Sequence, residues 1–184
     1  MVRDLDRDRY NELLIGCGSN HGRKIMYDGR VGWENLTTLD INPDHNPDVV
    51  WDLMSIPLPF ADDTFNEIHA YEVLEHTGRQ GDYKFFFAQF SDFWRILKPS
   101  GLFIGTVPLV NTVWALGDPS HSRVIQKENF IYLDQAEYTR QVGVTAISDF
   151  RYLYKADFTV RGVLEENETL KFVLMAVKPS RISE

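Results

Sequence analysis

Apolar residues in this chain fall in short runs separated by polar or helix-patterned stretches, the rhythm of strands and connections in an α/β sheet. The runs predict strands near residues 12–16, 36–40, 48–52, 66–71, 102–107, 145–154 and 170–177. Between the fourth and fifth, Tyr83, Phe86, Phe87, Phe90, Phe93, Trp94 and Leu97 recur at spacings of three and four and so share one face of a helix over 82–97. Lys98-Pro99-Ser100-Gly101 should stop that helix and turn the chain into the next strand. A second helix is predicted over 127–141. The polar stretch Glu165-Glu166-Asn167-Glu168 separates the last two strands, which read as an antiparallel hairpin at one sheet edge. The expected architecture is a seven-stranded, mostly parallel sheet flanked by helices, in one domain over residues 1–184.

Composition narrows the function more than the fold. With 184 residues and 43% hydrophobic content the chain can bury one sizeable core. A net charge of −8 without long Lys or Arg blocks argues against a nucleic-acid footprint or a membrane-surface patch. Apolar runs such as Phe172 to Val177 fall far short of the roughly 20 residues that span a bilayer. A lone cysteine, Cys17, and a charged start, Met1-Val2-Arg3-Asp4-Leu5-Asp6-Arg7, lead us to expect a reducing, cytoplasmic setting.

Candidate chemistry sits at the strand ends. Glu12-Leu13-Leu14-Ile15 breaks into Gly16-Cys17-Gly18-Ser19-Asn20, where glycines let backbone approach a ligand without interference from a Cβ atom. About 20 residues on, the spacing between a cofactor loop and a ribose carboxylate, Leu39-Asp40 closes the second strand. Val49-Val50-Trp51-Asp52-Leu53 places another carboxylate at the end of the third. Taken singly, Gly-x-Gly also serves as a plain tight turn and a strand-end Asp as a turn cap. Successive parallel strands share one C-terminal edge, where open α/β sheets bind ligands, and the three ends together read as a nucleoside cofactor site.

Those residues continue into Ile56-Pro57-Leu58-Pro59-Phe60, Tyr71-Glu72-Val73-Leu74-Glu75-His76 and Trp94-Arg95-Ile96-Leu97-Lys98-Pro99-Ser100-Gly101. The set, in register over residues 12–108, resembles the class I S-adenosylmethionine-dependent methyltransferases of the small "methyltransferase type 11" kind. Asp118-Pro119-Ser120-His121-Ser122-Arg123 also resembles a segment found after the fifth strand in some members. The resemblance implies S-adenosylmethionine as cofactor. Gly16 and Gly18, with Cys17 between them, would border its methionine part; Asp40, followed by Ile41, would bind the ribose hydroxyls. Asp52 and Leu53 would flank the adenine, and Tyr71 and Glu72 would lie beside the sulfonium. Glu75, His76, Asp118 and His121 are the general-base candidates, should the acceptor need one. Trp114, Asp118, His121 and Arg123 are the acceptor-side candidates, on a segment that closes over the site or, alternatively, is a surface loop tied down by Asp118 and Arg123. A small molecule, glycan or lipid precursor suits this acidic chain better as acceptor than nucleic acid.

Two positions depart from the family pattern. The acidic residue usual two places before the first glycine is Leu14, and the usual third glycine is Asn20. Glu12 lies on the same strand face but deeper, and the short, glycine-containing segment from His21 to Gly32 implies a truncated first helix or a loop. Cys17 has no basic partner nearby in sequence and is not read as a nucleophile. His21, His45, His69, His76 and His121 show no metal-ligand spacing with a cysteine or a carboxylate pair, so no metal is expected. Two rival readings remain: a non-catalytic binding module on the same fold, and a nicotinamide-dependent oxidoreductase, which Asp52, Leu74-Glu75-His76 and the late hairpin fit poorly.

Overall fold

The computed structural model describes residues 5–182; Met1 to Asp4, which carry part of the charged start, lie outside the described residues. The apolar runs form β1 (Glu12–Ile15), β2 (Leu36–Asp40), β3 (Val49–Val50), β4 (Phe65–Tyr71), β5 (Leu97–Pro108), β6 (Phe158–Glu166) and β7 (Thr169–Ala176). They make one sheet in the order β3-β2-β1-β4-β5-β7-β6. β1 pairs in parallel with β2 on one side and β4 on the other, so the sheet grows first one way and then the other from β1. The crevice at the C-terminal ends of β1 and β4 is therefore a topological switch point, where open sheets of this class hold ligands. β7 runs antiparallel to both β5 and β6.

One sheet face is apolar. Leu13, Ile15, Leu39, Ile68, Ala70 and Phe103 are buried there, each large side chain contributing roughly 2 kcal/mol through area removed from water. Over them lies α1 (Tyr83–Ile96), started by the Asp82 side chain, which accepts the Phe85 N–H at 3.1 Å. Phe93 of α1 meets Phe103 with ring centroids 4.8 Å apart. The Phe172 ring lies over Gly105, where an added Cβ would come within 2.4 Å of it.

The opposite face presents Glu12, Leu14, Glu67, His69 and Tyr71, and residues 16–35 cover it without forming a helix. Arg23 enters between two strand carboxylates, bonding Glu12 and lying 2.9 Å from Glu67. Glu67 also accepts from His69 Nε2 at 2.8 Å and from the Tyr10 hydroxyl at 2.7 Å. Burial by itself would raise the Glu67 carboxyl, but these hydrogen bonds and the Arg23 charge pull it down to about 2. A polar network thus stands where a helix would pack, and the expected flanking by helices holds on the other face only.

Three expectations need correction. Residues 145–154 are turns and loop, and the sixth strand is 158–166. Phe150 and Tyr154 are apolar because they pack on α1, Phe150 stacking on Tyr83 at 4.7 Å and Tyr154 lying 5.0 Å from Phe87. The Tyr138 hydroxyl, donating to the Ser148 carbonyl and accepting the Phe150 N–H, each at 2.5 Å, holds that loop. Lys98–Gly101 is a bulge inside β5, which pairs Leu97 with Phe65 and then Leu102 with Glu67. The helix expected over 127–141 is a 3-10 segment, Lys127–Leu133, followed by a separate α-helix, Gln135–Gln141. Asp134 divides them by accepting the Ala136 and Glu137 N–H groups, each at 3.1 Å.

Candidate active site

Gly16 and Gly18 both hold left-handed backbone, with φ of +56° and +58°, which side-chain-bearing residues adopt only with strain. A Cβ on Gly16 would stand 2.2 Å from Val73 Cγ2, so the turn after β1 is pressed against the segment after β4. Gly18 has no protein atom within 4 Å of its Cβ position and faces open space. Its N–H donates to Asp40 Oδ2 at 2.9 Å, while Oδ1 accepts the Asn42 N–H at 2.8 Å and lies 3.2 Å from His45 Nδ1. The Trp51 N–H bonds the Asp40 carbonyl at 2.9 Å, bringing the end of β3 to the same place. Burial would raise Asp40, but the Asn42 and Gly18 N–H bonds and His45 hold it below its ordinary value and ionised. The Cys17 thiol between the glycines is pushed up to about 11 by burial and by Asp40, and stays protonated at neutral pH.

At the end of β4 the chain takes a second left-handed step, at Glu72 with φ of +51°, its N–H bonded to the Thr106 carbonyl at 3.0 Å. Strain of this kind at a non-glycine residue gathers at functional sites. The 3-10 turn Leu74–His76 follows. Glu75 is 2% exposed and neither carboxylate oxygen has a hydrogen-bond partner. Burial, with Glu72 and Asp118 adding like charge, raises its carboxyl to about 8. His76 Nε2 and His121 Nε2 lie 4.0 and 3.9 Å from Glu75 Oε1, and the two rings meet edge to face at 4.5 Å. Asp118 Oδ2 is 4.0 Å from His121 Nε2.

Comparison with solved structures places this topology. A methyltransferase from Archaeoglobus fulgidus, S-adenosylmethionine-dependent by its description, matches over 90% of this chain and 86% of its own, with 13% identity and a TM-score of 0.55. The N-methyltransferase NodS from Bradyrhizobium japonicum matches over 92% and 86%, at 12% identity and a TM-score of 0.52. An S-adenosylmethionine-dependent methyltransferase from Mesorhizobium loti matches over 90% of each chain, at 13% identity and a TM-score of 0.52. The fold is that of the class I S-adenosylmethionine-dependent methyltransferases. No family model matches the sequence, and no curated protein matches it.

Within this methyltransferase fold, Gly16, Cys17, Gly18 and Asp40 come together as a unit at the switch point. Ile41 beside them is exposed, Leu53 is buried, and Asp52 caps its own turn by accepting the Met54 N–H at 2.8 Å. Two of the assigned side chains are engaged within the fold. The Tyr71 side chain points to the Arg23 face, where its hydroxyl donates to His69 Nδ1 at 2.6 Å and accepts the Ile25 N–H at 3.3 Å, so only its backbone reaches the edge. Arg123 is 5% exposed and ties three elements together, donating to the Leu74 carbonyl at 2.9 Å, Thr77 Oγ1 at 2.8 Å and Gln89 Oε1 at 2.5 Å. Trp114, on the short helix α2 (Trp114–Gly117), is 59% exposed. Glu12 cannot stand in for the acid absent at Leu14, since its oxygens are taken by Arg23 and by the Glu34 and Asn35 N–H groups.

Sequence reading missed His45 as the neighbour of Asp40, Val73 as the wall behind Gly16, and Ser120 beside His76. His45 follows Asp40 closely enough to have been weighed; Val73 and Ser120 carry no local signal. It also missed a cavity of about 170 Å³ lined by Tyr83, Phe86, Phe87, Tyr132 and Phe150 and bordered by Arg123.

Proposed function

We propose that this chain transfers a methyl group from S-adenosylmethionine to a small-molecule, glycan or lipid-precursor acceptor. The observation that carries the reading is the left-handed Gly16–Gly18 turn bonded to an ionised Asp40 at the switch point. Open space at Gly18 admits the methionine part of the cofactor. Asp40 Oδ2 accepts a single bond within the chain and keeps a lone pair for a ribose hydroxyl. Asp52 and Leu53 belong to the adenine side and Glu72 to the sulfonium side. The bound cofactor supplies an electrophilic methyl group, open to direct in-line displacement.

Positioning is then what the chain contributes. It must hold an acceptor atom about 3 Å from the methyl carbon, in line with the leaving sulfur, and keep water away. The ring-lined cavity between α1 and the 3-10 segment Lys127–Leu133 suits an acceptor with an apolar portion, and a net charge of −8 disfavours a polyanion. Glu75, His76, Asp118 and His121 are the groups near enough to one another to manage an acceptor proton.

A non-catalytic module on the same fold is favoured by one observation: Leu14 is buried where an acid is usual, and Glu12 is fully engaged. Calorimetry with S-adenosylhomocysteine tests the main reading. A micromolar dissociation constant, about −8 kcal/mol, is the expected result, followed by transfer of labelled methyl to an acceptor; absence of binding at about 1 mM, or −4 kcal/mol, overturns it.

A further inference from the structure

We infer that Glu75, His76 and His121 form a binding site for one first-row divalent metal ion of the zinc, cobalt or manganese kind. One ligand atom from each side chain lies within 4.8 Å of the other two. Nothing in the sequence spacing joins them: Glu75 and His76 sit on the turn after β4, and His121 arrives from the loop after α2.

Hydrogen-bond direction settles what these three atoms offer. Ser120 Oγ lies 2.5 Å from Asp118 Oδ1 and 2.9 Å from His76 Nδ1. A serine hydroxyl has one proton, and an ionised carboxylate can only accept, so that proton goes to Asp118 and Ser120 Oγ accepts from His76 Nδ1–H. The remaining His76 nitrogen, Nε2, then carries a lone pair. His121 Nδ1 lies 3.4 Å from the Ala115 carbonyl, which also only accepts, so Nδ1 holds a proton and the lone pair of the imidazole is at Nε2. Both lone pairs face Glu75 Oε1 at about 4 Å, too far for a hydrogen bond.

The cluster is thus two imidazole nitrogens and a carboxyl group turned toward one another with no hydrogen bond among them. Arg123 donates to Leu74, Thr77 and Gln89; its Nη1 has no hydrogen-bond partner, and its charge acts on Glu75 without a bond between them. A carboxyl 2% exposed with two unbonded oxygens ionises only at a cost, and a bound cation removes that cost. Two imidazoles and one carboxylate form a donor set for borderline cations, with bonds near 2.0–2.2 Å, and the three ligand atoms need to close by roughly 0.5–1.5 Å to reach it. Ser120 and the Ala115 carbonyl serve as the outer partners that orient metal-bound imidazoles. Three protein ligands leave a position for water or an acceptor oxygen; that acceptor role rests on the methyl-transfer reading, whereas the cation site does not.

The test uses the full chain, stripped with a chelator, dialysed and titrated with Co²⁺, read by visible absorption and calorimetry. One ion per chain with micromolar or tighter affinity is expected. Glu75→Gln, His76→Ala and His121→Ala should each weaken it by at least about 10- to 100-fold, the loss seen even for outer partners of a metal site. Glu165→Gln, an exposed residue of β6 outside the cluster, should bind as the parent does. His76 is partly exposed, so its variant keeps the test valid should Glu75→Gln fail to fold. Absence of saturable binding, or affinity unchanged in the His76→Ala and His121→Ala variants, overturns the site. S-adenosylhomocysteine binding measured on the same samples separates the two proposals: Co²⁺ binding without it removes the methyl-transfer reading alone, and the reverse removes the metal site alone.

Discussion

Gly18 and Asp40 are joined by a 2.9 Å hydrogen bond from the backbone N–H of one to the carboxylate of the other, which makes the turn after β1 and the end of β2 a single unit. Asp40→Ala strips that acceptor from two backbone N–H groups. It should weaken S-adenosylhomocysteine binding by about 1.5–3 kcal/mol and lower stability by roughly 1–3 kcal/mol. Calorimetry and urea unfolding of the variant check both; unchanged affinity in a folded variant rejects Asp40 as a cofactor residue.

The two glycines should separate in kind. Gly16→Ala places a Cβ 2.2 Å from Val73 Cγ2 on left-handed backbone, so it loses stability through collision as well as strain. Trimming the wall with Val73→Ala should recover part of that loss. Gly18→Ala meets nothing within 4 Å and should cost only the left-handed strain, about 1–2 kcal/mol, while losing cofactor binding. Melting temperatures with and without S-adenosylhomocysteine distinguish them: a ligand-induced rise in Gly18→Ala equal to the parent's shows that the open space at Gly18 is not where the ligand sits.

Arg123→Met removes the donor to Leu74, Thr77 and Gln89 at a buried position. Leaving those acceptors unpaired should destabilise the fold by about 2–3 kcal/mol, read from chemical unfolding, with cofactor affinity at the parent's level. Full stability with a specific loss of turnover would return Arg123 to the acceptor side.

Glu67 should govern part of the acid sensitivity. Its folded value of about 2 lies below its ordinary 4.5, so its contribution to stability is complete above about 4.5 and fades as pH falls toward 2. Glu67→Gln, which deprives Arg23 and His69 of a charged partner, should therefore be less stable than the parent at pH 7, with the gap narrowing by pH 3. Urea unfolding of both proteins at the two pH values checks this; a gap of constant size refutes it.

The central strands and the glycine turn after β1 were legible in the chain because their causes are local. Leu13 and Ile15, or Ile68 and Ala70, must be apolar to lie under α1, and glycines must stand at 16 and 18 for the backbone to turn left-handed. Asp82 and the three- and four-residue spacing after it mark α1 for the same reason. β6 was misplaced: it is an edge strand, mostly exposed beyond Phe158, and its partner β7 supplies the pattern it lacks. Nor was the loop face, where Arg23 finds Glu12 and Glu67 only after two strands have paired. The proposed cofactor residues end successive strands, which the sequence pattern marks; that those strands lie side by side is set by the sheet order. The Glu75, His76 and His121 cluster rests on a loop folding back across the sheet edge, and only tertiary structure decides which donor atoms then face one another.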